Sequence, residues 1–412
     1  MRRTPGAQRA RPACAAGAAA RVALGVILLA AAPGCFRHFV FEEARVPYYQ
    51  ARVAWSHEMP ATVAIAPLPL SERRVAAVAG NAVHVLALDG SVLHEESFDH
   101  EWDAAVSEGG DLLLASRDRL VLWSADGHGA LWEFSLPEAV PVGHSPTLAS
   151  WVAVTEDAVH VLGAGSGEAA SFPLESLKRA GRYRRRGARS DAVPDDSRLT
   201  GAALLHDTVL YAGAADGLYA VDLDGGRLLW HHRIRDGVSV CPVLAKHALY
   251  VGADDKLFRV LRARSGRRKW RLITGGRIGA PPVVHGNDLI VASYDLNLYG
   301  LRAHGGHRLW NLNLPRRTDT LVLWPPYGLA THPLFSPSLR LYEPHGGLEV
   351  MHFTIPEEED DYFTSPMLVR DEILLVGTYR GRLLALELVE EETGEPEEGA
   401  LEEDAEEEPE DP

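Results

Sequence analysis

The chain has 412 residues, of which 46% are hydrophobic, and it carries a formal net charge of −16. This hydrophobic content is sufficient for a large core and excludes a chain without folded structure. The charge excludes the basic footprint of a nucleic-acid-binding protein, and fourteen acidic side chains with no basic ones fall within residues 390–412.

The N-terminus has the pattern of an export signal. Arginine-rich sequence precedes an apolar run, Val22 to Ala32, which is too short to span a bilayer. The segment from Ala31 to Cys35 resembles the lipobox of bacterial lipoproteins, in which the cysteine is acylated. We therefore predict a signal peptide over residues 1–34, lipidation of Cys35 and a linker over residues 35–49. The alternative is ordinary secretion with an unmodified cysteine.

The other two cysteines predict no disulfide. Cys14 would be removed with the signal peptide and Cys35 would carry lipid, so Cys241 has no partner. Cys241 lies in an apolar stretch, and we expect it to be a small buried residue within a strand.

The central part of the chain repeats with a period of forty residues. Trp230, Trp270 and Trp310 are spaced by forty, and each follows a glycine by four residues. Alternating apolar and polar residues, separated by Gly and Asp turns, give four short strands in each unit. A repeat of this length with strand-like composition predicts the blades of a β-propeller.

Weaker copies of the unit extend in both directions. Two of them place His94 and Ser171 at the tryptophan position. The copies give a count of eight blades. Seven is the alternative, because prolines interrupt the inner strands of the unit around residues 321–355.

The final copy lacks an outer strand. Residues 52–59 supply a strand-like segment with Trp55 in phase with the repeat. We therefore predict an all-β, eight-bladed β-propeller over residues 50–389, closed by an N-terminal strand in the last blade, because closure removes the exposed edges of a linear array.

The segment Ala220–Trp230 resembles the tryptophan-docking motif of quinoprotein-type propellers, with Arg227 at the position of the motif's lysine. In that family each tryptophan stacks on a neighbouring blade. The resemblance implies a structural docking role for five tryptophans: Trp55, Trp132, Trp230, Trp270 and Trp310.

Several other features bear on chemistry. Quinoprotein dehydrogenases use pyrroloquinoline quinone and calcium, but this chain lacks their vicinal cysteine pair and their long insertions. We predict no catalytic residue, cofactor or metal site. The acidic segments 99–103 and 357–361 are expected to be solvated, and His231 and His232 are expected at the surface.

A basic insertion, residues 177–199, interrupts the repeats. It is a candidate partner-binding segment; the alternatives are a solvated loop, or docking onto the acidic tail of residues 390–412, which we expect to be disordered. Its candidate residues are Lys178, Arg179, Arg182, Tyr183, Arg184, Arg185, Arg186 and Arg189.

A lipoprotein signal together with a minimal propeller resembles the BamB-like outer-membrane proteins, which are scaffolds in β-barrel assembly. The resemblance implies a non-catalytic, monomeric scaffold on the periplasmic side of the outer membrane, anchored by lipid and bound to envelope proteins rather than to nucleic acid. The alternatives are a quinone-dependent oxidoreductase and a secreted or periplasmic ligand-binding propeller.

Overall fold

The computed structural model describes residues 48–71, 73–127, 129–165, 169–180, 197–333, 335–356 and 359–390. The predicted signal peptide, Cys35, most of the linker and nearly all of the acidic tail lie outside these ranges. Every blade is a four-stranded antiparallel sheet.

The first four blades follow one another along the chain, and one short helix, α1, precedes blade 4. Their elements are, for blade 1, β2 (Leu68–Pro69), β3 (Arg74–Ala79), β4 (Ala82–Ala87) and β5 (Val92–Ser97); for blade 2, β6 (Ala104–Glu108), β7 (Asp111–Ala115), β8 (Arg119–Ser124) and β9 (Gly129–Ser135); for blade 3, β10 (Val140–Ser145), β11 (Ser150–Val154), β12 (Ala158–Gly163) and β13 (Ala169–Pro173); then α1 (Leu174–Ala180); and for blade 4, β14 (Leu199–His206), β15 (Val209–Ala214), β16 (Gly217–Asp222) and β17 (Arg227–Arg233).

The remaining blades continue in the same way, except that the last one takes its outer strand from the N-terminal side of the chain. Their strands are, for blade 5, β18 (Val243–Ala245), β19 (Ala248–Val251), β20 (Leu257–Arg262) and β21 (Arg268–Ile273); for blade 6, β22 (Val283–His285), β23 (Asp288–Ser293), β24 (Asn297–Arg302) and β25 (Arg308–Asn313); for blade 7, β26 (Thr320–Trp324), β27 (Gly328–His332), β28 (Ser338–Tyr342) and β29 (Glu349–Thr354); and for blade 8, β30 (Leu368–Arg370), β31 (Ile373–Gly377), β32 (Arg382–Glu390) and β1 (Tyr49–Glu58).

The prediction of eight blades is confirmed, and the seven-bladed alternative is wrong. The irregular unit forms blade 7, because Pro325 and Pro326 lie in the turn between β26 and β27. A proline there removes no hydrogen bond from the sheet ladder.

Ring closure by the N-terminal strand is also confirmed. β1 pairs with β32 in antiparallel fashion, with Ser56 opposite Leu384 and Trp55 opposite Ala385. Blade 8 therefore joins two segments that are more than 300 residues apart in the chain.

The hydrophobic core is divided among the interfaces between blades. The described residues form eight buried clusters, and each combines side chains from two adjacent blades, including the closing pair of blade 8 and blade 1. Each sheet thus buries its faces only by stacking on its neighbours, so the blades stabilise one another around the ring.

One contact recurs between the outer part of one blade and the next blade. Trp230 donates a hydrogen bond from Nε1 to the carbonyl of Ala263 at 2.8 Å. Its ring lies over Gly266, whose φ is +62°, and a Cβ on that glycine would come within 2.6 Å of the ring. Both the left-handed conformation and the close approach therefore favour glycine.

The other four predicted docking tryptophans make equivalent hydrogen bonds to the following blade. Trp55 donates to Leu88 at 2.9 Å, Trp132 to Ala164 at 3.1 Å, Trp270 to Ala303 at 3.2 Å and Trp310 to Pro344 at 3.0 Å.

The register corrects one position in the repeat. In blade 1, Val85 is opposite His94, and in blade 3 the corresponding Val161 is opposite Ala170. The tryptophan position of blade 3 is therefore Ala170 and not Ser171. The shift arises because the ladder between β12 and β13 lacks the bulge that β4 and β5 contain.

We predict that the Trp230→Ala substitution lowers the free energy of unfolding by about 3–5 kcal/mol, because it leaves a cavity between blades 4 and 5. Urea denaturation measures the change. Leu229→Ala is the matched control, since Leu229 is the preceding residue and is 41% exposed. Equal losses for the two variants would contradict a docking role for the indole.

Candidate functional site

The strand order places two sets of connections on one face of the propeller. Because strands within each blade are antiparallel, the turn between its second and third strands and the connection to the next blade emerge on the same side. We call this side the loop face. Most of the connections between blades are longer than the turns on the opposite side.

An exposed aromatic patch lies on the loop face where blades 7 and 8 meet. We define it by Phe335, Tyr362 and Tyr379, which come from three different connections. Tyr362 and Tyr379 stack with ring centroids 4.7 Å apart, and Phe335 meets Tyr362 edge-on at 5.8 Å. Phe335 is 66% exposed and Tyr379 is 50% exposed. Clustered aromatic rings of this kind are typical of surfaces that bind another molecule.

Backbone hydrogen bonds fix the three connections to one another. The Phe335 amide donates to the Phe363 carbonyl, and the Tyr379 amide donates to the Tyr362 carbonyl, both at 2.9 Å. The Phe363 side chain between them is fully buried. The aromatic patch is therefore held in place before any partner binds.

Asp361 ties the connection that bears Tyr362 to the one that bears Tyr379. Its carboxylate accepts hydrogen bonds from the backbone amides of Tyr362 and Arg380, at 2.9 and 3.0 Å. It also accepts from the Arg382 guanidinium at 2.8 Å, and the Asp361 side chain is completely buried. The expectation that the acidic segment 357–361 is solvated is therefore wrong for Asp361. Its carboxylate accepts hydrogen bonds from backbone amides and an arginine side chain instead of from water.

The pKa of Asp361 is lowered. Burial alone would raise this pKa, but hydrogen bonds from Thr378, Arg380 and Arg382 to the charged form outweigh that effect. Asp361 is consequently ionised at neutral pH and holds the two connections together as a carboxylate.

Elsewhere on the loop face, two basic side chains lie over Tyr294, in the turn between β23 and β24 of blade 6. The guanidinium of Arg277 lies 4.4 Å from the Tyr294 ring centroid and that of Arg317 lies 5.3 Å from it. The Tyr294 hydroxyl donates a hydrogen bond to Asp319. These cation–π contacts give the loop face a second aromatic group with positive charge on its surface.

Cavities on the loop face differ in character. A cavity of about 140 Å³ lies beside the patch and is lined by residues including Thr318, Thr331 and Ser336. Two wider grooves of about 500 and 640 Å³ both include Ser197, where the described chain resumes after α1. The smallest cavity is below the range of about 300–1,000 Å³ usual for small-molecule sites.

The basic insertion begins and ends on the loop face, because it connects blade 3 to blade 4. Lys178 lies in α1, where its ammonium contacts Glu175 at 3.1 Å and its side chain is only 8% exposed. The side chains of the other candidate residues, Arg179, Arg182, Tyr183, Arg184, Arg185, Arg186 and Arg189, lie outside the described residues.

Two expectations about single residues are wrong. Cys241 is exposed and precedes β18 instead of lying buried within a strand. His231 is not at the surface: its ring stacks on Tyr219 with centroids 4.2 Å apart, and its side chain is 13% exposed. His231 is opposite Tyr219 in the ladder, so its ring faces the interior between blades.

Residues 185–323 match the family model described as "Outer membrane protein assembly factor BamB". This stretch of the chain is similar to the BamB family model. The match covers about a third of the chain, from the basic insertion into blade 7. The role in membrane-protein assembly that this description names is a role of the family's proteins.

The fold is also found among solved structures. The crystal structure of the computationally designed Ika8 protein aligns with a TM-score of 0.62 and 12% identity, covering 82% of this chain and 99% of Ika8. At this identity the likeness concerns the fold alone. No curated protein sequence gives a significant match. Among the described residues, no helix has the length and apolar character needed to cross a membrane.

We predict that Asp361→Asn lowers the free energy of unfolding at pH 7 by about 2–3 kcal/mol, because the buried amide cannot accept the same charge-assisted hydrogen bonds. Arg382 would keep its ion pair with Glu359. Urea denaturation measures the loss. Asp360→Asn is the control, since the Asp360 side chain is 89% exposed. A loss no larger than that of the control would contradict the role assigned to Asp361.

We also predict that the difference in stability between the wild type and Asp361→Asn depends on pH. Because the folded pKa of Asp361 is lowered, its stabilisation is fully present above the ordinary aspartate pKa of about 3.9 and is lost as the pH falls through the folded value. The stability difference between the wild type and Asp361→Asn should therefore be constant near neutral pH and shrink in acid. A difference that persists unchanged at acid pH would count against this assignment.

Proposed function

We propose that this protein is a non-catalytic scaffold of the cell envelope, which binds a protein partner through the aromatic patch on its loop face. The observation that carries the proposal is the cluster of three contacting aromatic rings on a rigid support, of which Phe335 and Tyr379 are exposed. The match of blades 4 to 6 to a model of an outer-membrane assembly factor favours the same class of function.

The arrangement of the patch suits a protein interface. Its centre is apolar, and its edge includes the ion pair between Arg380 and Asp360 at 3.1 Å. Protein interfaces commonly combine aromatic anchors with a polar rim of this kind. Tyr294, with Arg277 over its ring, lies on the same face of the propeller in blade 6.

The basic insertion provides a second proposed contact on the loop face. Its arginines would complement an acidic segment of the partner by charge-assisted hydrogen bonds. The acidic tail of this chain is the competing occupant, and removal of residues 390–412 would then increase partner binding.

The proposed location is the periplasmic side of the outer membrane, with Cys35 carrying the lipid anchor and the propeller acting as a monomer. More than one acyl chain is needed for stable attachment, since each buried methylene contributes about 0.8 kcal/mol.

We predict that a photo-crosslinking amino acid placed at position 335 captures an envelope protein in intact cells. The double substitution Phe335→Ser with Tyr379→Ser should lower recovery of that protein at least tenfold, because two anchors at an interface centre contribute more than about 1.4 kcal/mol. Mass spectrometry identifies the captured protein and measures its recovery.

Leu348 supplies the control for this experiment. It belongs to the same blade as Phe335, is 55% exposed, and lies in a turn on the opposite face. A crosslinker at position 348 and the Leu348→Ser substitution should leave the captured protein and its recovery unchanged. The same protein captured from both faces, or undiminished recovery in the double variant, would rule out the loop face as the binding surface.

We also predict that mass spectrometry of the mature N-terminus detects a lipid-modified Cys35 as the first residue. The Cys35→Ser variant should leave the membrane fraction for the soluble fraction, because it cannot be acylated. Recovery of an unmodified Cys35 in a soluble wild-type protein would favour ordinary secretion instead.

A further inference from the structure

We propose that His57, His84 and Glu95 form a binding site for a divalent transition metal, such as Zn²⁺, at the seam where the propeller ring closes. His57 lies on β1 in blade 8, and His84 and Glu95 lie on β4 and β5 in blade 1. A metal at this position would join the N-terminal strand to the first blade that follows it.

The distances between the donor atoms suit a tetrahedral ion. His57 Nε2 lies 2.8 Å from His84 Nδ1, which lies 3.7 Å from Glu95 Oε1, and all three donors lie within 4.8 Å of one another. Zinc–nitrogen bonds of about 2.0–2.1 Å place neighbouring tetrahedral ligands about 3.3 Å apart. Small side-chain rotations would therefore bring the three donors to the required spacing.

The types of donor also suit this class of metal. Two imidazole nitrogens and one carboxylate oxygen are a ligand set that zinc accepts, with a fourth position left for water. His84 is 8% exposed, whereas the Glu95 side chain is 56% exposed. The site thus has one buried ligand that fixes its position and one exposed carboxylate that a metal ion can reach from solvent.

Metal binding does not require a base to remove a proton from the two histidines. In the metal-free protein one imidazole donates a hydrogen bond to the other between His57 Nε2 and His84 Nδ1. On binding, the donating imidazole changes tautomer, so its proton moves to its other ring nitrogen and both facing nitrogens present lone pairs. Burial lowers the pKa of both histidines, which favours the neutral rings that bind metal.

An equivalent position in the ring lacks this combination. The sequence Ala-Val-His-Val-Leu occurs in both β4 and β12, so His160 in blade 3 corresponds to His84. His160 is opposite Ser171, whereas His84 is opposite Glu95. In the blade before His160, Phe134 lies two positions after the docking tryptophan Trp132. In the blade before His84, the same position after Trp55 is occupied by His57.

His160 makes a different set of contacts as a result. Its Nδ1 lies 2.8 Å from the Ser171 hydroxyl and its Nε2 lies 3.2 Å from the Thr155 hydroxyl. It is 6% exposed, close to the value for His84. His160 is therefore a buried histidine in the same strand position without a second imidazole or a carboxylate opposite it, and it serves as the matched control.

The test is isothermal titration calorimetry with ZnCl₂. It uses the full-length chain without a polyhistidine tag, after removal of metal by EDTA and dialysis. We expect one saturable zinc site per chain. His57→Gln and Glu95→Gln should each lower zinc affinity at least tenfold, because each removes a direct ligand. His160→Gln should change the affinity less than twofold.

Two further measurements keep the result independent of folding. Far-UV circular dichroism checks that each variant retains the sheet structure, and Glu95→Gln alters an exposed side chain that the fold does not need. Zinc should raise the thermal midpoint of the wild type and of His160→Gln but not of His57→Gln, because an ion bound only by the folded state stabilises it.

Cobalt(II) gives a direct view of coordination. The wild type should develop the intense visible bands of a tetrahedral cobalt site, and the His57→Gln and Glu95→Gln variants should not. Absence of a saturable zinc site in the wild type, or full affinity in either ligand variant, would overturn the proposal and leave a hydrogen-bonded histidine pair.

Discussion

The interlock between an indole and a glycine of the next blade is the contact on which this structure depends. The glycine at position 266 receives Trp230 from the preceding blade, while Trp270, four residues later, reaches forward to Gly306. In the central blades, one short motif therefore encodes both sides of a blade. The core follows the same principle, because every buried cluster is shared by two blades.

A ring built in this way has one place where the repeat cannot continue along the chain. Blade 8 takes β1 from the opposite end of the sequence, so closure depends on contacts between segments more than 300 residues apart in the chain. Loop-closure entropy opposes that step. Trp55 over Gly90, together with the antiparallel pairing of β1 and β32, offsets the cost. The proposed metal site would hold β1 against blade 1, in the position from which β1 pairs with β32.

The ring also separates stability from function. Strands and docking indoles supply the stability, so the connections on the loop face are free to vary in length and sequence. The aromatic patch combines residues from three connections in two blades. Hydrogen bonds of Asp361 and Phe363 fix the positions of these connections relative to one another. A rigid support for exposed aromatic rings is the property that a scaffold protein requires.

The sequence by itself determined the repeating architecture, since a forty-residue period with tryptophan and glycine in phase leaves few folds that bury both faces of every sheet. It also predicted that the N-terminal strand closes the ring. The tertiary structure alone decided which loop residues meet: Phe335 and Tyr379 are 44 positions apart, and His57 and His84 are 27 apart on different blades. Neither group has a local spacing that predicts it, because packing between blades, which no single segment encodes, brings these side chains together.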